Sequence, residues 1–438
     1  MTSTTSGRRK GLPRGPRGLS AYRFLGWGSS ARALGFLQDT ARTYGPISSL
    51  RVFNQRLVLV DDAELIEQVL VTDQHKFVRD RGAVLLRELV GDGLLTSDEP
   101  RHRERRRVIQ PAFHRAQIAS YAEAMAKEAE QCVGEWHAGD RINIGAEMRR
   151  LTLKIVGRAL FGVDFTGSVA RVAELLERAF RRSALIAVLL PIFAPALVRY
   201  RKLRPKARSV FYARERAELE QIIQPILECR RHRSGADVVS LLLEYGLTGE
   251  DIYNELVTLV LAGHETTATA LTWAWRLISQ HPEVERRLHE EAERGESGLE
   301  YISMVFNEVL RLYPPVPAFG RRPVEPVELG GYTIPAGASV IVSPYITQRN
   351  ERYFEHPEEF QPERWRGLQP PKLAYFPFGA GAKMCIGDSF AKLEGITVLA
   401  AIARRWRLRL TDTSPMEVRP GITLAPARKI WLEVAPHP

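Results

Sequence analysis

Cys385 is the residue around which this 438-residue chain could do chemistry. It stands in Pro377-Phe378-Gly379-Ala380-Gly381-Ala382-Lys383-Met384-Cys385-Ile386-Gly387, where glycines crowd one thiol just ahead of a helical pattern. Glycine admits positive φ and lets backbone approach a flat ligand closely. Exposed backbone N–H groups and the positive end of a helix dipole favour a thiolate. Such a loop can hold an anionic sulfur against a metal and donate hydrogen bonds to it. A buried structural cysteine in a glycine loop gives the same local pattern. Zinc is excluded, because no Cys and His ligands cluster around Cys385. A dinucleotide loop is excluded too, because Met384 stands where the third glycine is required.

A second constellation is Ala262-Gly263-His264-Glu265-Thr266-Thr267, inside a long helical pattern. Glycine and paired threonines are poor mid-helix residues, each costing on the order of 0.5–1 kcal/mol. Local rules broken inside a good helix point to a functional site. With Thr266 inward, Ala262 and Gly263 lie at i−4 and i−3. One face is then small and open around a hydroxyl, with room for a flat cofactor, and Glu265 beside it can exchange protons with solvent. Tight crossing of another helix is the structural alternative. His264 points away from that face and is not proposed as a ligand. A third feature, Glu308 and Arg311 at i and i+3, is a trivial pair alone. It gains meaning only beside Pro362-Glu363-Arg364-Trp365, which offers a second arginine.

The elements that position these residues are mostly helical. Ile47 to Val60 reads as a strand pair around Asn54-Gln55. The long helix starts at Thr248 as N-cap, with Asp251 as a capping-box partner, and runs to Gln280 before His281-Pro282. Another helix ends at Leu312, stopped by Tyr313-Pro314-Pro315. Short strands follow at Val327–Leu329 and Ser339–Val342. Arg352 to Ala382 reads as loop, and a helix runs from Gly387 to about Arg404.

Composition bounds the function. The chain is 45% hydrophobic and 26% charged, with net charge +11. No RNA-binding, zinc-finger or aromatic-plus-basic pattern accompanies that charge, so nucleic-acid binding is not expected. Three cysteines form no disulfide framework, which implies a reducing, cytoplasmic setting. No run reaches the roughly 18 apolar residues of a membrane span. The longest, Ala184 to Val198, is broken by Pro191 and Pro195. Residues 1–19 read as a flexible basic tail.

Together these motifs resemble the cytochrome P-450 family of soluble bacterial type. Phe378 to Gly387 matches its haem-binding signature, with Phe378, Gly379, Cys385 and Gly387 in register. Ala262-Gly263-His264-Glu265-Thr266-Thr267 resembles its oxygen-activation site, and Glu308, Arg311 and Arg364 its structural triad. His102, Arg106 and Arg321 stand where the family holds haem propionates. Lys383 replaces the family's usual Arg or His; it keeps the charge but loses the planar fork.

The resemblance implies a mainly α fold with a small β region, the cytochrome P-450 fold, as one domain over residues 20–438. It implies haem b with Cys385 as the iron ligand, dioxygen as co-substrate, and catalytic roles for Thr266 and Glu265. The expected reaction is monooxygenation of a lipophilic fatty acid, terpenoid or steroid. Electrons would come from a separate ferredoxin or flavodoxin docking near Arg103, Arg105, Lys383 and Lys392. Segments near Val84–Leu89, Ala262, Val316–Phe319 and Ile422–Thr423 would line the pocket, with Ala184 to Val198 at its access channel. A peroxide-driven peroxygenase and a non-catalytic haem protein are the alternatives.

Overall fold

Apolar residues recur along the chain with helical spacing far more often than they alternate, and helix accordingly dominates the computed structural model. It describes residues 11–17, 31–52, 55–163, 171, 175, 213–230, 237–295 and 298–437. The chain runs α1 (Ala31–Tyr44), β1 (Ile47–Val52), β2 (Gln55–Val60), α2 (Ala63–Glu67), β3 (Phe77–Arg79), α3 (Arg81–Val90), α4 (Arg101–Ile109), α5 (Arg115–Gly134), β4 (Arg141–Asn143) and α6 (Ile144–Phe161). Then come α7 (Ala213–Arg230), α8 (Val238–Glu244), α9 (Gly249–Ile278), α10 (Pro282–Arg294) and α11 (Glu300–Leu312). Next are β5 (Phe319–Pro323), β6 (Val327–Leu329), β7 (Tyr332–Ile334), β8 (Ser339–Val342) and α12 (Pro344–Thr347). The chain closes with α13 (Asp388–Arg405), β9 (Trp406–Leu410), β10 (Val418–Pro420), β11 (Leu424–Pro426) and β12 (Trp431–Pro436). The expected run Ala184 to Val198 lies outside the described residues.

The 30-residue α9 is about 45 Å long at helical rise and forms the axis of the main core. It packs on α6 and α13, and Trp273 and Trp275 are almost fully buried on it. Its start differs from the expected capping box. Thr248 is extended as an N-cap should be, but its side chain caps nothing. Asp251 turns instead to Arg101 and Arg105, with Arg105 Nη2 at 2.8 Å. Arg105 also lies 3.4 Å from Glu255, whose other oxygen accepts the Leu94 N–H at 2.8 Å. Ion pairing between α4 and α9 outcompetes a local cap because two arginines arrive from outside the helix.

Strands β1-β2-β8-β5-β3 form one sheet, parallel only between β2 and β8. The register Ile47↔Val60 to Val52↔Gln55 confirms the expected strand pair. A second sheet, β4-β12-β9, ties the chain's last strand to residues 141–143. Residues 11–17, expected within a flexible tail, pack on β1. Ser49 N–H donates to Arg14 O at 3.1 Å, and its hydroxyl donates to Pro13 O at 2.6 Å. Among the described residues, no helix is long and apolar enough to cross a membrane.

Candidate active site

The cysteine loop is folded by its own backbone. Cys385 N–H donates to Phe378 O at 2.9 Å, and Met384 N–H to Gly381 O at 3.0 Å. Gly379 and Gly381 both have φ +71°, where a side chain is strained. At Gly381 a Cβ would also lie 1.9 Å from Leu70 O, so glycine is required twice over. Gly387 differs: a Cβ there would meet only Phe113, at an ordinary 3.5 Å. It precedes α13 and turns its N–H toward the sulfur. Cys385 keeps an exposed face, yet desolvation pushes its thiol up to about 11 against the pull of that N–H.

The loop is held from behind by a buried triad, as the sequence motifs implied. Glu308 and Arg311 are completely buried and doubly bonded at 2.7 and 2.9 Å. Arg364 Nε reaches Glu308 at 2.9 Å, and Trp365 Nε1 donates to the same carboxylate at 2.9 Å. Arg311 also donates to Gln348 O, Pro357 O and Glu359 O. Gln348 then carries the link forward. Its amide donates to Leu310 O and Arg311 O and accepts the Phe376 N–H at 2.9 Å, just before the cysteine loop.

The small face expected on the long helix exists. Between Ile252 and Ile278 every residue is buried except Ala262, Gly263 and Thr266. Thr266 donates its hydroxyl back to Ala262 O at 2.7 Å. A Cβ on Gly263 would lie 3.0 Å from Val156 Cγ2, so this glycine also serves the tight crossing with α6. Glu265 is 8% exposed. His264 is fully buried, and its Nδ1–H donates to Val260 O at 2.9 Å. Burial drives its pKa down to about 4, which leaves it neutral.

A cationic cluster borders the loop. Its members are Arg79 on β3, Arg321 on β5 and Lys383 in the loop, with a neutral His102 on α4 beside them. Burial lowers Arg79 to about 10, and the neighbouring Arg321 adds to the shift. Burial lowers Lys383 as well; Asp98 opposes this while Arg79 and Arg321 reinforce it. His102 falls to about 4 through burial and the field of Arg79, and its Nδ1 faces Glu99 at 3.2 Å. Asp98 accepts the Arg79 N–H and Lys383 Nζ, each at 3.0 Å. Cations crowded at mutual cost suit an anionic ligand edge. The set fits haem, whose rim carries two propionates.

All four expected propionate holders have protein partners: His102 faces Glu99 at 3.2 Å, and Arg321 Nη1 donates to the adjacent Gly320 O at 3.0 Å. Lys383 is turned to Asp98, and Arg106 Nη1 donates to Met384 O at 2.7 Å, bracing the loop beside the cysteine. Arg79 and Asp98 were missed by sequence reasoning. The only signal for Arg79 was an arginine closing the short run Phe77-Val78-Arg79. Two residues of the expected docking face are also displaced. Arg105 is buried in the ion pairs with Asp251 and Glu255, and the Lys383 side chain is only 12% exposed. Phe378 is half-buried, with Lys392 Nζ 5.5 Å from its ring centroid.

Comparison with known proteins gives a consistent picture. The sequence model of the cytochrome P-450 family matches residues 13–432. Cyclooctatin synthase of Streptomyces melanosporofaciens is 35% identical, over 88% of this chain and 88% of its own. Cyclooctat-9-en-7-ol 5-monooxygenase of the same organism is 36% identical, over 86% and 85%. A six-coordinated cytochrome P-450 from Thermus thermophilus superposes with TM-score 0.71 at 32% identity, covering 92% of this chain and 97% of its own.

Proposed function

The chain belongs to the cytochrome P-450 family, and from that premise we propose that Cys385 is the thiolate ligand of its haem b and that its substrate is a terpenoid. The enzyme is an oxidoreductase of the monooxygenase class. When bound, the haem activates dioxygen and delivers one oxygen atom to the substrate, with electrons supplied from outside.

The observation that carries the reading is the partly exposed trio Ala262, Gly263 and Thr266 in an otherwise buried helix. Thr266 spends its proton on Ala262 O, so its oxygen lone pairs remain to accept a hydrogen bond. A hydroxyl held in this way can accept a hydrogen bond from a water in the site and fix that water for proton delivery. Glu265, adjacent and 8% exposed, is the carboxylate through which protons would be replenished. Arg79, Arg321 and His102 would hold the haem edge. Lys383 would do so only by leaving Asp98, and Arg106 would hold the loop.

The substrate class rests on relatives. Two are named for cyclooctatin and cyclooctat-9-en-7-ol, which favours a cyclic terpenoid over a fatty acid or a steroid. The electron donor would be a separate acidic ferredoxin or flavodoxin. Arg103, whose side chain is 84% exposed, Arg107 and Lys392 offer it a basic surface. A peroxide-driven peroxygenase would have less use for the Glu265–Thr266 pair.

The test has three arms. Cys385→Ala should remove the far-red-shifted Soret band of the ferrous–CO complex; its survival would reject the ligand. Cyclic terpenoid alcohols should shift the haem spectrum of the wild type and be turned over with reductant and dioxygen. Shifts with fatty acids alone would reject the substrate class. Equal turnover with peroxide alone would favour the peroxygenase.

A further inference from the structure

A cavity of about 390 Å³ opens between the last turn of α9, the segment after β9 and the start of β12. Arg141, Arg276, Arg428 and Lys429 line it, against one carboxylate, Asp412. Leu410, Met416, Ile430 and Trp431 supply apolar wall. Arg276 lies ten residues beyond Thr266, about 15 Å along the helix axis, so the cavity is distinct from the oxygen-facing surface.

Arg276 is the unusual member. It is only 5% exposed, and its Nη2 donates to Ser414 O at 2.8 Å. Its Nη1 has no hydrogen-bond partner among the described residues. A buried guanidinium nitrogen without an acceptor is costly. Burial depresses this arginine, Tyr313 opposes the shift, and Arg428 adds to it. Arg428 itself is 3.4 Å from Asp412 and donates to Ser414 O and Pro415 O. Asp412 is thus engaged by Arg428 and Ser414, which leaves a cationic excess at the cavity. Arg141 stacks over Trp431 at 5.3 Å, placing a cation and an indole face on the same side.

We propose that this cavity binds a small organic anion, a carboxylate or phosphate head on an apolar body, with Arg276 Nη1 as the buried donor to the head. The volume lies within the usual range for small-molecule sites. Four cations would select the charge, and Trp431 with Met416 and Ile430 would cover the body. An anion there would join the C-terminal turn of α9 to the strands beside it.

The experiment is calorimetric titration of the haem-loaded protein with octanoate, inorganic phosphate and octanol, with the haem spectrum followed in parallel. Octanoate is expected to bind without moving the Soret band, phosphate to bind more weakly at the same site, and octanol not to bind there. Arg276→Gln should weaken that binding at least tenfold. Because Arg276 also bonds Ser414, the exposed pair Arg428→Gln with Lys429→Glu is made as well, and should weaken it comparably with haem content unchanged. Octanoate binding only with a Soret shift, no binding at all, or an affinity untouched by the rim pair would overturn the proposal.

Discussion

Arg79 on β3 and Arg321 on β5 are direct partners in the antiparallel ladder. Like charges placed directly opposite one another destabilise a sheet. Arg79 offsets this with bonds from Nε to Ser97 O at 2.9 Å and from Nη2 to Leu94 O at 3.1 Å, and Arg321 Nη1 donates to the adjacent Gly320 O; under the proposed function the pair would hold the propionates of haem. Arg321→Gln is expected to melt no lower than wild type as apoprotein, yet to release haem several-fold faster. Arg79→Gln should release haem faster as well. Apoprotein melting curves combined with haem transfer to apomyoglobin measure both quantities, and parallel loss of apo stability and haem in the Arg321 variant would show an ordinary structural arginine instead.

Glu308→Ala and Arg311→Ala should each yield little folded holoprotein. Removing one partner of a fully buried ion pair costs on the order of 3–5 kcal/mol. Here the orphan would be an arginine or a carboxylate at 0% exposure. Because Gln348 connects this pair to Phe376, the loss should reach the cysteine loop. Soluble yield and haem-to-protein ratio are the measurements; normal values for both variants would break the argued link.

Much of this arrangement is readable from local pattern. The glycines before Cys385, the long helix around Thr266 and the Glu308–Arg311 spacing are encoded within a few residues of one another. What escapes is whatever depends on distant register. Arg79 meets Arg321 only because β3 pairs β5 across the chain, and no neighbour of Arg79 signals it. Asp251 looked like a capping residue because its neighbours are local, whereas its partners Arg101 and Arg105 come from α4. Arg105 looked like a surface charge in a basic run for the same reason. The final strand, Trp431–Pro436, takes its place from pairing with β4 and β9.

Thr266→Ala should leave haem content and substrate spectra nearly unchanged while lowering product formed per electron consumed. The hydroxyl is the only polar side-chain group on the partly exposed trio of that helix face. Its bond to Ala262 O is local, so fold and binding should tolerate the loss. Excess hydrogen peroxide or water should account for the missing electrons. Thr266→Ser keeps the hydroxyl and should restore most of the coupling. Coupling unchanged in the alanine variant would remove Thr266 from the proton path.

Reduction by a small acidic electron-transfer protein should slow as salt rises, since exposed charges are screened over about 10 Å at 0.1 M ionic strength. Arg103→Glu with Lys392→Glu should slow it further at low salt and flatten the salt dependence. Arg105 is left out of this test because it is buried and ion-paired. Stopped-flow reduction rates across ionic strengths decide the matter; rates indifferent to both changes would put the docking face elsewhere.

Glu394 makes the pH dependence of stability testable. It lies on α13 nine residues after Cys385, is 0% exposed, and neither carboxyl oxygen has a hydrogen-bond partner among the described residues. Burial pushes its carboxyl from 4.5 up to about 8, against the pull of the nearby Thr267 hydroxyl, which itself turns to Gly263 O at 3.4 Å. Between those two values the folded chain holds a proton that the unfolded chain has released. The stability tied to that proton is therefore fully present below pH 4.5 and is lost as pH rises through about 8. Glu394→Gln mimics the neutral carboxyl at every pH. Relative to the variant, wild type should lose melting temperature between about pH 4.5 and pH 8 and level off above, with the variant the more stable at the upper end. Thermal melts of both proteins across that interval measure the difference, and curves that stay parallel would mean that Glu394 is already ionised in the fold.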